Sequence, residues 1–113
     1  MKTANYSTSK KFFVKATFTL WFAFITTISF ASDYYWVGGT GNWSDYGTHW
    51  ATTSGGVIFH TTVPGPTDDV YFDTNSFSAA NDTVITDNTT IYCHHLNFTG
   101  ATNNPAITGQ NIN

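Results

Sequence analysis

Three aspartates surround one short apolar segment of the chain and could bind a cation. Asp68 and Asp69 precede Val70, and Asp73 follows it closely. Calcium takes carboxylate and carbonyl oxygens as ligands, often within turns, so these three aspartates form a candidate calcium site. The spacing of an EF-hand is absent, however, and aspartates that follow a Pro-Gly-Pro corner also accept hydrogen bonds from turn amides. Calcium binding and a purely structural role both stay open, and no other cofactor is predicted.

A cysteine and two histidines are adjacent at positions 93–95, and thiolate and imidazole are ligands for transition metals. In a strand, neighbouring side chains point to opposite faces, so adjacent residues rarely share one ion. The sequence therefore predicts no metal site here. We expect Cys93 to be a small buried apolar residue, and His94 and His95 to form a bend between two strands.

Tryptophans recur every seven residues, at Trp36, Trp43 and Trp50, and Tyr46 lies between the last two. Exposed aromatic faces can stack on the apolar faces of sugars, which makes these four residues a candidate glycan-binding site. Alternatively, the tryptophans form a hydrophobic plug, because a terminal repeat must cover its open apolar end. The chain has few aliphatic residues from which to build a core, so the plug is the preferred interpretation.

Charge is distributed very unevenly along the 113 residues. There is no Arg, every acidic residue is an aspartate, and residues 32–113 carry a formal charge of −7; the four basic residues are Lys2, Lys10, Lys11 and Lys15. Nucleic-acid binding requires a cationic surface, so it is excluded as a function of this part of the chain. No acid, base or nucleophile stands at a recognisable catalytic spacing. We therefore predict no catalytic residues and a protein that is not an enzyme.

The N-terminus has the three parts of a secretory signal peptide. The lysines are followed by fifteen uncharged, mostly apolar residues at positions 16–30, and Ser29 and Ala31 are small residues at the end of this run. A membrane-spanning helix needs about 20 apolar residues, so an uncleaved anchor is the less favoured alternative. We predict a signal peptide over residues 1–31, cleavage between Ala31 and Ser32, and a secreted or cell-surface chain, associated with the outer membrane, that has no membrane span after cleavage.

Beyond residue 31 the composition predicts strands and turns. Thr, Asn, Gly and aromatic residues dominate, and no 3.6-residue apolar period is present. Val70, Ile91 and Ile112 are spaced by 21 residues, and a repeat of this length is typical of a β-solenoid. We predict an all-β fold, the start of a right-handed parallel β-helix, with an aromatic, Gly-rich cap over residues 32–67 and the first rungs over residues 68–113. A small β-sandwich is the alternative. The predicted interior residues are Val70, Phe72, Cys93, Leu96 and Phe98.

Several segments resemble one module of bacterial surface proteins. They are the block from Trp36 to Asp45 (WVGGTGNWSD) with Trp50 after it, the Pro-Gly-Pro turn at 64–66, the segment 68–73 (DDVYFD), and Cys93 followed by Leu96 and Phe98. Together, over residues 34–113, they resemble the N-terminal region of large, repetitive, adhesin-like proteins of gram-negative bacteria. The resemblance implies parallel β-helix stretches and a C-terminal sorting domain. No such domain occurs in this sequence, so we expect a fragment that continues into further β-repeats in the parent protein.

The sequence thus favours a non-catalytic secreted or cell-surface protein fragment, the N-terminal part of an adhesin-like β-solenoid. A glycan-binding module that uses Trp36, Trp43 and Trp50 is the alternative, with extracellular glycans or surface components as partners. Part of a secreted carbohydrate-active enzyme ranks third.

Overall fold

The computed structural model describes residues 28–88 and 90–113, whose regular elements are short strands and one four-residue helix. The predicted all-β class is therefore confirmed. Within these ranges no helix has the length and apolarity needed to cross a membrane. The predicted signal peptide falls largely on residues 1–27, which lie outside the described residues. The elements are, in chain order, β1 (Asp33–Trp36), β2 (Gly41–Asn42), α1 (Tyr46–His49), β3 (Trp50–Ala51), β4 (Asp69–Tyr71), β5 (Thr83–Thr86), β6 (His95–Asn97) and β7 (Ala106–Gly109).

The strands form two sheets in which most pairs are parallel. One sheet has the order β3-β1-β4-β6 and the other the order β2-β5-β7. Only β3 runs antiparallel to its neighbour, where it pairs with the outer edge of β1. A further parallel bridge joins Ile91 to Ile112. Each sheet combines strands from both predicted segments, 32–67 and 68–113.

The register stacks equivalent positions of successive strands on one another. Tyr34 pairs with Val70 and Val70 with Leu96, so that one row of side chains faces the core. The adjacent row on the opposite face contains Tyr35 and Tyr71, whose rings stack with centroids 4.8 Å apart. Because side chains alternate between faces along each strand, this register fixes which residues of all three strands are buried.

Aromatic rings make up most of the core. Trp36, Trp43 and Trp50 are completely buried, and Trp50 meets the other two edge-on, with ring centroids 4.8 and 4.7 Å apart. This geometry is the one that aromatic pairs prefer. Phe72 extends the cluster towards Phe77, at 5.6 Å. The buried hydrophobic cluster consists of Tyr34, Trp36, Trp43, Trp50, Val70, Phe72, Phe77, Val84 and Ile91.

Of the five predicted interior residues, the first two along the chain are buried and the last three are not. Val70 and Phe72 are fully buried, whereas Cys93 and Leu96 are half-buried and Phe98 is 42% exposed. The physical reason is that β6 lies at the edge of its sheet, so no further strand of the described residues covers its outer side. The expected bend at His94 and His95 is also displaced, since β6 begins at His95.

Candidate functional site

The four aromatic residues of the candidate glycan site have different environments. The three tryptophans are 0% exposed, so protein covers both faces of each indole and they offer no platform for a sugar. Trp36 and Trp50 are further fixed because their Nε1 atoms donate hydrogen bonds to the Gly39 and Trp43 carbonyls, at 2.7 and 2.8 Å. The alternative of an exposed sugar platform at these tryptophans therefore does not fit the structure, whereas their burial agrees with the preferred interpretation as a hydrophobic plug.

Tyr46 is the member of that set that reaches solvent, and the residue is 43% exposed. It borders a shallow depression on the surface. Apart from Tyr46, the depression is lined by Ser44, Thr61, Thr62, Val63 and Asn88. Hydroxyl and amide groups beside a ring can hydrogen-bond to a polar ligand that stacks on it.

The three candidate calcium ligands do not converge within the described part of the chain. Asp68 accepts backbone hydrogen bonds from Ser32 and Gly65, at 2.9 and 2.8 Å. Asp73 accepts one from the Asn75 amide, at 2.8 Å. These carboxylates therefore satisfy turn amides, and Asp69 takes part in a separate cluster.

That cluster joins Asp69 to His94 and His95. The Oδ1 atom of Asp69 lies 2.9 Å from Nδ1 of His94 and 3.1 Å from Nδ1 of His95. The three ligand atoms lie within 4.8 Å of one another. Among the described residues this is the one group of three or more acidic, histidine or cysteine side chains close enough to hold a metal ion. The adjacency of His94 and His95 in the sequence predicts no metal site, so this juxtaposition is a finding of the structure.

The backbone explains why two adjacent histidines reach one carboxylate. Parallel pairing of β4 with β6 places His95 directly beside Asp69. His94 precedes the strand, in a bend, and its amide donates to the Asp68 carbonyl at 2.7 Å. The alternation of side chains that holds within a strand therefore does not separate these two rings, whose centroids are 4.0 Å apart.

The sequence contains a pattern that predicts this cluster, but only if the two strands are aligned in the correct register. Asp69-Val70-Tyr71-Phe72 and His95-Leu96-Asn97-Phe98 share the same pattern, with an apolar residue at the second and fourth positions. Superposing the two segments places Asp69 opposite His95. The 21-residue spacing of Val70, Ile91 and Ile112 instead aligns Val70 with Ile91, and that alignment hides the pairing of Asp69 with His95.

The cluster shifts the pKa values of two side chains, the Asp69 carboxyl and the Cys93 thiol. The hydrogen bond from His94 lowers the pKa of the Asp69 carboxyl, partial desolvation opposes this, and the hydrogen bond from His95 lowers the pKa further. Desolvation, together with the Asp69 charge, raises the pKa of the Cys93 thiol. A raised thiol pKa lowers the thiolate fraction at neutral pH, and the thiolate is the reactive form.

Comparison with known proteins provides no family assignment. No family matches the chain, and no curated protein and no solved structure matches it. The basis for a functional proposal is therefore the stacking of the strands and the exposed side chains described above.

Proposed function

We propose that residues 32–113 are the N-terminal part of an adhesin-like β-solenoid, a non-catalytic component of a secreted or cell-surface protein. The observation that carries this proposal is the order in which the chain adds strands. The chain forms β4, β5 and the extended residue Ile91, and then a second set in the same order, β6, β7 and Ile112. Each member of the second set pairs in parallel with the corresponding member of the first. Repeats that contact their immediate neighbours in this way are the defining feature of solenoids.

The turns between the strands support the same interpretation. Asn81, before β5, and Asn103 and Asn104, before β7, all have positive φ angles, of 66°, 65° and 50°. Asparagine tolerates this left-handed conformation better than most residues. The Asn81 amide donates to the Asn103 carbonyl at 3.0 Å, so the two turns stack like the strands that follow them. A β-sandwich, whose sheets are antiparallel, offers no comparable explanation.

Residues 32–67 fit the role of a cap in this proposal. β3 pairs with the outer edge of β1, and Phe59 extends the antiparallel pairing through a bridge to Ala51. Covering an edge strand prevents it from pairing with another chain. The buried tryptophans close the apolar end of the stack beneath this layer. Further repeats of the proposed protein would extend the stack at the opposite edge, beyond β6 and β7.

Export and surface location rest on the sequence of the N-terminus and on composition. A signal peptide over residues 1–31 would deliver a chain with a formal charge of −7 and many Thr and Asn residues. Net charge of this size favours solubility, as an extended surface protein requires. We further propose that the exported chain stays associated with the outer membrane.

Surface location and adhesion can be tested together in the source bacterium. An antibody against residues 32–113 is expected to label intact cells, and a strain that lacks the coding region is expected to attach less well to surfaces. A complementing gene with Trp50→Ala should fail to restore attachment, because it disrupts the cap. Complementation with Val57→Ala, a change at a side chain that is 85% exposed, should restore it. Labelling of lysed cells only, or normal attachment of the deletion strain, would contradict the proposal.

A glycan-binding module is the second candidate, and the exposed Tyr46 ring beside the Ser44, Thr61 and Thr62 hydroxyls is the observation that favours it. If this depression binds a glycan, Tyr46→Ala removes the stacking face and abolishes retention on the matching polysaccharide column, while the free energy of unfolding stays unchanged. Tyr92→Ala is the matched control, because Tyr92 is 45% exposed and does not line the depression. Equal retention of both variants and the unmodified chain would exclude this site.

A further inference from the structure

We infer that Asp69, His94 and His95 form a binding site for a divalent transition-metal ion, with Zn²⁺ as the reference ion. This inference goes beyond the proposed function, which requires no ion. It rests on three properties of the cluster: the spacing of its ligand atoms, its combination of a rigid backbone with exposed rings, and the chemistry of its donor set.

The distances from the Asp69 oxygen to the two histidine nitrogens are close to those of a zinc site. Asp69 Oδ1 lies 2.9 Å from His94 Nδ1 and 3.1 Å from His95 Nδ1. In a tetrahedral site with bonds of about 2.0–2.2 Å, ligand atoms lie roughly 3.3–3.6 Å apart. Each imidazole nitrogen therefore has to move away from the Asp69 oxygen by about 0.5 Å, and the two nitrogens, which lie within 4.8 Å of each other, have to come to the same separation.

The cluster is held by the backbone and yet remains open to solvent. Parallel pairing fixes Asp69 beside His95, and the hydrogen bond from the His94 amide to the Asp68 carbonyl fixes the bend. The side chains of His94 and His95 are 57% and 69% exposed. The rings can therefore turn towards an ion without disturbing the core, and coordination positions facing the solvent remain free for water.

The donor set selects the kind of metal. Two imidazoles and one carboxylate suit zinc, copper and nickel, whereas calcium takes six to eight oxygen ligands. Without metal, Asp69 Oδ1 accepts a hydrogen bond from an Nδ1–H of each ring. In the metal-bound site each ring takes the tautomer that carries its proton at Nε2, so that Nδ1 is free to bind the ion. On the edge of β4 that faces β1, Asp33 is paired with Asp69. The negative charge of Asp33 favours the approach of a cation.

Zinc titration followed by calorimetry tests the inference on the full chain, purified without a polyhistidine tag. We expect saturable binding of one ion per chain. Asp69→Asn, His94→Ala and His95→Ala should each weaken it by at least about tenfold, since even residues that only support a ligand change metal affinity by 10- to 100-fold. The matched controls are Asp45→Asn and His60→Gln, which change an exposed carboxylate and a histidine outside the cluster and should bind as the unmodified chain does.

Copper electron paramagnetic resonance gives a second readout that needs no substitution. Hyperfine coupling to two imidazole nitrogens is expected in the unmodified chain and coupling to one in each single histidine variant. Near-ultraviolet circular dichroism should show that all variants keep the tryptophan cluster intact. Absence of saturable zinc binding, affinity unchanged in the three cluster variants, or an equal loss in His60→Gln would overturn the inference.

Discussion

The three buried tryptophans differ in how their single polar atom is satisfied. Trp36 and Trp50 donate their indole N–H groups to backbone carbonyls, and these hydrogen bonds fix the orientation of the rings. The buried Nε1 of Trp43 has no hydrogen-bond partner among the described residues. An unpaired buried donor costs about 1–3 kcal/mol. Trp43 is therefore held by packing against Trp50 and its neighbours, and that packing must outweigh the cost.

Gly41 is required because a histidine ring occupies the space beside it. A Cβ atom at this position would overlap the imidazole of His49, which stacks on Trp36 with ring centroids 4.5 Å apart. Moving the ring also strains the contact between His49 Nδ1 and the Val37 carbonyl, at 2.6 Å. We expect Gly41→Ala to lower the free energy of unfolding by about 1–3 kcal/mol, as overpacking does, measured by urea denaturation.

Gly47→Ala is the control for this prediction. Gly47 lies in α1 and nothing would come within 4 Å of an added Cβ. Alanine is favoured over glycine in a helix by about 0.5–1 kcal/mol, so this variant should be neutral or slightly more stable. An equal loss of stability in both variants would show that the His49 ring is not the reason for glycine at position 41.

At the scale of elements, two aspartates tie β5 to the flanks of β2. Asp82, just before β5, accepts a hydrogen bond from the Thr40 hydroxyl at 3.1 Å. Asp87, just after β5, accepts one from the Ser44 amide at 3.0 Å and another from the Ser44 hydroxyl. Because β2 is only two residues long, these side chains extend the connection between the two strands beyond their backbone pairing.

Both carboxylates make the pairing of β2 with β5 sensitive to acid. The backbone amide of Ala79 is the main cause that lowers the pKa of Asp82, and Thr40 and Ser78 contribute. Burial raises the pKa of Asp87, but the hydrogen bonds from Ser44 outweigh it and hold the pKa below its usual value. A carboxyl whose pKa is lowered by folding stabilises the fold above its unfolded pKa, about 3.9, and this contribution is lost as the pH falls through the folded pKa.

We therefore expect the urea midpoint to stay level from neutral pH down to about pH 5 and to fall steeply below about pH 4. Asp82→Asn should lower the midpoint at neutral pH and weaken its dependence on pH. Asp45→Asn changes an exposed aspartate that follows β2 and should retain the full dependence on pH. If Asp82→Asn keeps the same acid transition as the unmodified chain, Asp82 does not contribute to it.

At the scale of the whole molecule, residues 32–67 and residues 68–113 share one core. Trp50 contacts Tyr34 and Trp36 from β1 and also Phe72, next to β4. The rings of residues 32–67 therefore pack directly on those of residues 68–113. Two segments joined through a common buried cluster are expected to unfold together, in one cooperative transition.

Trp50→Ala tests whether the two segments unfold cooperatively. Truncating a buried tryptophan costs about 3–5 kcal/mol, which is a large part of the roughly 4–12 kcal/mol expected for a folded unit of this size. Tryptophan fluorescence and far-ultraviolet circular dichroism should give coincident urea transitions in the unmodified chain, and both should shift to lower urea in the variant. Val57→Ala, at an exposed side chain, should leave them in place. Separate transitions for the two signals would show that residues 32–67 and residues 68–113 fold independently.

The fold class and part of the core could be predicted from local patterns. The alternation of Val70, Tyr71 and Phe72 indicates one buried face whatever the strand pairs with, and the structure buries Val70 and Phe72. The preferred interpretation of the tryptophans as a buried plug agrees with their complete burial, since a chain with few aliphatic residues has little else to place in its core. These features depend on residue type and on a period of two, and both can be seen in the sequence.

The 21-residue spacing correctly aligns Ile91 with Ile112, but the partners of Val70 and the cluster around Asp69 were decided by the tertiary structure. Val70 follows Tyr34 by 36 residues, and Leu96 follows Val70 by 26, so no single spacing in the sequence gives the register. Loops of different length are tolerated because closing a longer loop costs little additional free energy, and the register is set by the packing of side chains between strands. The amino-acid sequence by itself determined that the chain forms strands with one apolar face. Only the packing of those strands determined that Asp69 lies beside His95, and that a bend brings His94 to the same carboxylate.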